Sequence, residues 1–183
     1  LLSHDESLLK VRNFLVGTTC LHVAKNEHVC KAILKISDQD HSFVNALDVH
    51  GHTALHTSVM RGNEKMIEFL LSHGATMSTP HVDPLRFAPN LAVAKRLLDA
   101  GANPNESGVL LSHVAANRLD VAKLCVDRGA LVDSDCLIAG LSNSSMTLFL
   151  LEHGARCDVR NKDGLTALQV AVKIRTSVEI VSR

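Results

Sequence analysis

The stretch Gly51-His52-Thr53-Ala54-Leu55-His56, continued by TSVMRGNEKMIEFLLSHGATMST to Thr79, decides the fold of this 183-residue chain. Gly51 stands where an extended loop turns into a helix, and glycine tolerates the dihedrals of that turn. Thr53 suits an N-terminal cap, where its hydroxyl can take a free backbone N–H. Ala54 to Val59 predicts a short inner helix, and Gly62-Asn63 breaks it. Glu64 to Ser72 predicts an outer helix, with Met66, Ile67, Leu70 and Leu71 forming one apolar stripe. His73-Gly74 closes that helix as a left-handed C-terminal cap. One such helix pair cannot bury its apolar face alone, so the unit must have neighbours of its own kind.

Working outward, Leu1-Leu2-Ser3-His4 repeats Leu70-Leu71-Ser72-His73, which predicts the end of an outer helix followed by a connector, so that residues 1–16 are the tail of a preceding repeat. Gly17-Thr-Thr-Cys-Leu-His-Val-Ala24 is a second copy of the start, 34 residues before Gly51. Its outer helix is expected over His28 to Ile36, with Val29, Ala32, Ile33 and Ile36 on the buried face. Beyond Thr79 the pattern loosens. Pro84 to Ala88 is a third start, Leu111 to Ala116 a fourth, Cys136 to Ala139 a fifth and Asp163 to Leu168 a sixth. Glycine-alanine caps fall at Gly74, Gly101, Gly129 and Gly154, spaced 27, 28 and 25 residues apart. The shortening is assigned to the loops between inner and outer helices and to the fingers.

The motif G-x-T-x-L-H, then an internal Gly, an apolar helix and Gly-Ala, resembles the ankyrin repeat, whose usual length is about 33 residues. Residues 51–79 carry it most fully. The resemblance implies an all-α ankyrin-repeat solenoid of about six repeats of paired antiparallel helices with short finger loops, both ends truncated. As one array over 1–183, the repeats are bounded at 17–50, 51–79, 80–105, 106–132, 133–158 and an incomplete 159–183. The trimmed fingers and divergent middle are similar to those of viral and parasite ankyrin proteins. The longer connector over 37–48, with Val44-Asn45 before the next start, is similar to an early repeat in inhibitors of Rel-family transcription factors.

Composition narrows the function. Apolar residues make up 46 %, enough for a core, but aromatics only 3 %, with no Trp or Tyr. That leaves no stacking platform for single-stranded nucleic acid. Lys plus Arg equals Asp plus Glu at 19 each, so net charge gives no reason to expect a phosphate-backbone partner. Five scattered cysteines without C-x-x-C spacing are expected as reduced core thiols, which points to an intracellular compartment: the cytoplasm, with the nucleus as the alternative. No apolar run reaches the length of a membrane span. Asn105-Glu-Ser and Asn143-Ser-Ser match the glycosylation triplet, but the thiols weigh against that use.

Chemistry finds no foothold. Of eleven histidines, His22, His56 and His113 are read at one repeat position, where the family's histidine links adjacent repeats. His4, His73 and His153 sit at the outer-helix cap, facing the helix's negative end. His50 and His52 are too few for a tetrahedral zinc site, so no metal is expected. No activated Ser or Cys, phosphate loop or dinucleotide fingerprint is present, so neither a cofactor nor catalysis is expected. What remains is surface. The resemblance implies protein partners on a concave face of fingers and inner-helix ends. Carried onto this chain, that face comprises Asp48, His50 and His52; Met60 and Arg61; Asn117 and Arg118 in the matching place of the fourth repeat; and Arg160, Lys162 and Asp163 with Lys173 behind. The function expected is a scaffold or adaptor. The alternatives are an inhibitor of Rel-type factors or a regulatory array attached to an enzyme or channel. Oligomeric state stays open.

Overall fold

In the computed structural model the described residues are 17–36, 41–77, 82–158, 160–161 and 163–173. The chain divides into two compact units, Leu1–Ala102 and Asn103–Arg183. Both are helical, and among the described residues the only extended pairing is an isolated antiparallel bridge between Arg160 and Thr166.

Unit 1 begins with a short inner helix α1 (Cys20–Val23) and the outer helix α2 (Glu27–Ile36), followed by a single turn α3 (His41–Val44). Then comes the hairpin of α4 (Ala54–Met60) and α5 (Glu64–Ser72). These are the helices expected from the deciding stretch, with α5 bounded as read. The third hairpin differs. Its inner element is only a 3-10 turn, Pro84–Phe87, capped by the Asp83 carboxylate, which accepts from Leu85 N at 2.7 Å. Its outer helix α6 spans Leu91–Asp99. The missing length therefore comes from the inner helix itself, and not only from loops and fingers. Pro84 explains the start, since it has no N–H and fits the first turn. The rest follows from Ala88, whose extended backbone ends the element before Pro89.

The buried face of α2 is a correction. Cys30, Ile33 and Leu34 are buried, whereas Val29 is 46 % exposed and Ala32 is exposed. The stripe is rotated by one residue because Cys30 packs on α5, its thiol 3.5 Å from the Met66 sulfur. In α5 the buried set is Met66, Ile67, Phe69 and Leu70, with Leu71 only half-buried.

Unit 2 holds α7 (Val109–Ala115) and α8 (Leu119–Asp127), then α9 (Ser134–Gly140) and α10 (Ser144–Glu152). A helical stretch over 167–173 follows. The fourth repeat therefore starts two residues before Leu111. Gly140 is buried where α9 meets α10: a Cβ there would lie 2.9 Å from the Leu150 Cδ1 and 3.1 Å from the Met146 Cγ.

All four glycine-alanine caps form as read. At Gly74, φ is +83°, the Gly74 N–H donates to Leu71 and the Ala75 N–H to Leu70. The same two bonds recur at Gly101-Ala102, Gly129-Ala130 and Gly154-Ala155. Only a residue without Cβ adopts that left-handed turn at no cost, which is why the motif is so legible.

Candidate functional site

The first two starts are built alike. The Thr53 N–H donates to Nδ1 of His56 at 3.0 Å, which places the ring proton on Nε2. That Nε2–H then donates to the Val82 carbonyl at 2.9 Å, in the next repeat. Thr19 and His22 do the same at 3.2 Å, and the His22 Nε2–H reaches the His52 carbonyl at 3.0 Å. Burial pushes His56 below the ordinary imidazole value, against the opposing bond to Val82. His113 is buried too, but it is not at this position. The Arg118 N–H bonds to the His113 carbonyl as the Asn63 N–H bonds to that of Ser58, so His113 matches Ser58 and Leu111 matches His56.

The finger between α3 and α4 is a tight loop around Asp48. Its carboxylate accepts the N–H groups of His50 and His52 at 2.8 and 2.9 Å, while the Asp48 N–H donates to the His52 carbonyl. Burial alone would raise the Asp48 carboxyl. The two N–H bonds, with the nearby His52 and His22 rings, outweigh it and hold the group below its ordinary value. The loop over 161–165 is the same object with Asn161 in place of Asp48, its Oδ1 accepting from Asp163 and Leu165. There Gln169 takes the histidine's place, accepting from the Thr166 N–H at 2.9 Å.

The expected partner residues divide accordingly. In unit 1, His50 is an exposed finger residue, and Met60 and Arg61 are exposed at the end of α4. The Arg61 guanidinium donates to the His22 carbonyl at 3.3 Å. Asp48 is spent on its own turn. His52 is half-buried, stacked on His56 with centroids 5.4 Å apart and edge-on to Phe87. In unit 2, Asn117 and Arg118 do not hold the place of Met60 and Arg61. The same backbone register aligns that place with Ala115 and Ala116. Asn117 is the left-handed turn residue, φ +57°, and Arg118 is the N-cap of α8. The shift arises because α7 starts without a Thr-x-x-His box, so counting from histidine misplaces its end by two residues. Arg160 folds back to donate to the Gly164 carbonyl, Asp163 is exposed on the loop, and Lys173 is exposed on the final helical stretch. Lys162 and His4 lie outside the described residues.

Sequence reading missed a set of asparagines. Asn26, Asn63, Asn90 and Asn143 each cap an outer helix by accepting an N–H three residues on. Asn45 bridges forward, its amide donating to the Gly74 carbonyl and accepting from the Thr76 N–H, both at 2.9 Å. Asn105 does the same to Gly129 and Leu131 at 2.8 Å. Asn105 and Asn143 thus use their side chains structurally, which removes the basis for reading their triplets as glycan acceptors. It also gives Val44-Asn45 a packing role: Val44 is buried and Asn45 joins two repeats. The visible signal was an Asn three residues before an apolar run.

Three thiols are core residues, pushed up by burial: Cys30 and Cys125 to about 11 and Cys136 to about 12. Cys20 is partly buried and raised for the same reason, but Cys157 is exposed, contrary to the expectation for all five. Among the described residues, no three His, Cys, Asp or Glu side chains gather as a metal site. No described helix is long and apolar enough to cross a membrane.

The outer side has its own recurring feature. Phe69 stacks on His73, the His73 Nδ1–H donates to the Phe69 carbonyl, and Lys31 stands 5.9 Å above the ring. Phe149, His153 and Lys123 repeat it. The two cap histidines thus meet outer-helix carbonyls as expected. A cavity of about 490 Å³ opens beside the first stack, lined by Glu27, Lys65 and Glu68 among others.

Antiparallel helix pairs closed by Gly-Ala, tied to the next pair by a buried histidine and separated by finger loops, define a repeat protein of the interaction type. The model for ankyrin repeats (3 copies) matches residues 1–81, which carry the clearest copies of the motif. An ankyrin repeat protein of fowlpox virus (strain NVSL) is 33 % identical over 98 residues, 50 % of this chain and 15 % of that protein. Rabankyrin-5 of Homo sapiens is 28 % identical over 149 residues, 70 % of this chain and 12 % of that protein. The matched segments thus span only a small part of these relatives. Among solved structures, the human ASB11 ankyrin repeat domain superposes with a TM-score of 0.75 at 23 % identity, covering 89 % of this chain and 80 % of that one. A chain from the complex of a Bdellovibrio bacteriovorus predatory endopeptidase with its immunity protein gives 0.71 at 24 %, covering 87 % and 94 %. The chain has the all-α ankyrin-repeat fold, a non-catalytic fold whose general use is binding other proteins.

Proposed function

We propose that this chain is a scaffold or adaptor segment of a larger intracellular protein, and that it holds protein partners on its concave finger and inner-helix face. The observation that carries this is in unit 1. The buried histidines of the starts, His22 and His56, are turned inward to tie repeats together, while Val23, Val49 and Met60, near Arg61, are left exposed. An apolar group of that kind beside a fixed cation has no role in the folding of the unit and suits a protein surface. His50 extends it along the finger. On this reading the chain makes no bond and breaks none.

The test is affinity capture from cell lysate with the native chain, a Met60→Glu/Arg61→Glu variant and an outer-helix Lys65→Glu control, each checked for helicity. A protein held by the native chain and the control, but lost from the double variant, supports the reading. A protein lost only from the Lys65→Glu control moves the site to the outer helices.

A further inference from the structure

Charge is sorted between the two sides of unit 1. On the outer helices the glutamates are paired with bases: Glu27 with Lys31 at 3.6 Å, and Glu64 and Glu68 with Arg96 at 3.3 and 3.1 Å. On the inner side, both described carboxylates serve the backbone. The Asp48 side chain is 9 % exposed and accepts two N–H groups, and Asp83 is buried at the head of the 3-10 turn. The exposed charges on the inner elements are therefore all cationic: Lys25, Arg61 and Arg86. Among them stand the exposed aliphatic side chains Val23, Val49 and Met60, at 57 %, 62 % and 43 %.

Val23, Lys25, Val49, Met60 and Arg61 form one neighbourhood, and the Lys25 carbonyl accepts from the Asn63 amide on the same hairpin as Arg61 at 3.3 Å. Arg61 donates to the carbonyl of His22, the residue before Val23, and Met60 precedes Arg61. The His22 ring binds the finger at His52, and the Val49 side chain lies against Gly17. Arg61 spends one of its five donors on that carbonyl, so its fork is positioned at little further entropic cost.

We propose that the inner side of unit 1 docks an extended acidic segment of a partner protein, in which carboxylates alternate with aliphatic side chains. The inference rests on the concave-face reading and adds the partner's chemistry. Carboxylates match the fixed guanidinium and its neighbouring cations, and aliphatic groups cover Val23, Val49 and Met60. A nucleic acid fits less well. Three cations neutralise few phosphates, and the nearby ring, Phe87, is occupied by His52 and His56.

The test is selection from a random display library of peptides about 12 residues long on the whole chain, followed by titration of a labelled selected peptide. The expected result is enrichment of acidic, aliphatic sequences. Affinity for the labelled peptide should fall about tenfold with Arg61→Glu and with Lys25→Glu, stay unchanged with Lys65→Glu on α5, and weaken as salt rises. Lys25 makes no side-chain bond that folding needs, so it keeps the test open if Arg61→Glu unfolds. Neutral or basic sequences that are lost with Arg61→Glu leave the inner face standing and overturn the acidic partner. Acidic sequences lost only with Lys65→Glu overturn the location, and with it the concave-face reading. No enrichment, or tighter binding of a labelled single-stranded oligonucleotide, overturns the proposal.

Discussion

The hairpin α4–α5 of unit 1 and the hairpin α7–α8 of unit 2 each pair a seven-residue helix with a nine-residue helix. Both end in the same Gly-Ala cap. Their starts differ. α4 begins at Thr53, whose N–H is taken by His56, and that ring ties the hairpin to Val82. α7 begins at Gly108 in a left-handed conformation, with no side-chain cap. α5 is capped by Asn63, whereas α8 starts at Arg118 without a side-chain acceptor. The helices are the same length either way. Apolar packing and the C-terminal glycine therefore set the hairpin, and the Thr-His box supplies the link between repeats.

The largest expected break of this comparison is His56→Ala. It leaves the Thr53 N–H and the Val82 carbonyl buried without that partner and should cost roughly 2–4 kcal/mol in urea denaturation followed by circular dichroism. Leu111→Ala, at the matching position of α7, removes no such bond and should cost about 1 kcal/mol. Equal losses would show that the box is not the link. Next, Gly140→Ala forces a methyl against Leu150 and Met146 and should cost about 1–3 kcal/mol. If the midpoint rises, the approach of α9 to α10 is looser than described.

Asn63→Ala should lose about 1 kcal/mol through its cap. The converse change, Arg118→Asn, should stabilise α8 by up to about 1 kcal/mol, and a loss there would mean that Arg118 serves unit 2 in another way. The smallest effect is a slope. The folded-state pKa of His56 is lowered, so the unfolded chain takes up its proton first as pH falls. The stability from neutral His56 is complete above its ordinary value of 6.5 and drains away as pH falls below it, towards the lowered folded value. His56→Gln can make both bonds, as Gln169 does the first of them at Thr166. It should keep most of the stability at neutral pH and flatten that decline between pH 7 and 5. An unchanged slope would assign the acid sensitivity to another group.

Much of this was legible because it is local. Left-handed turns at Gly74, Gly101, Gly129 and Gly154 demand glycine, and their bonds reach no further than five residues. Thr53 and His56 are three residues apart and make their box within one turn. The exposed positions of His50, just before that box, and of Met60 and Arg61, just after it, follow from their fixed distances to it. The places of Asn117 and Arg118 were misread because their repeat has no box to count from.

By itself, then, the sequence determined the hairpin as a unit: its caps, its outer helix and its fold family, all written in short-range steric and hydrogen-bond rules. Only the tertiary structure decided which face of α2 is buried, since Val29 and Cys30 differ by a single step around the helix and Met66 on the next hairpin selects between them. It decided that Pro84–Phe87 stays a single turn and that Asn45 and Asn105 clasp the repeat ahead. It also sorted the charges, spending Asp48 and Asp83 on backbone and leaving Lys25, Arg61 and Arg86 exposed. The physical reason is distance along the chain: these outcomes depend on partners in the neighbouring turn or repeat, whose packing a one-dimensional pattern does not encode.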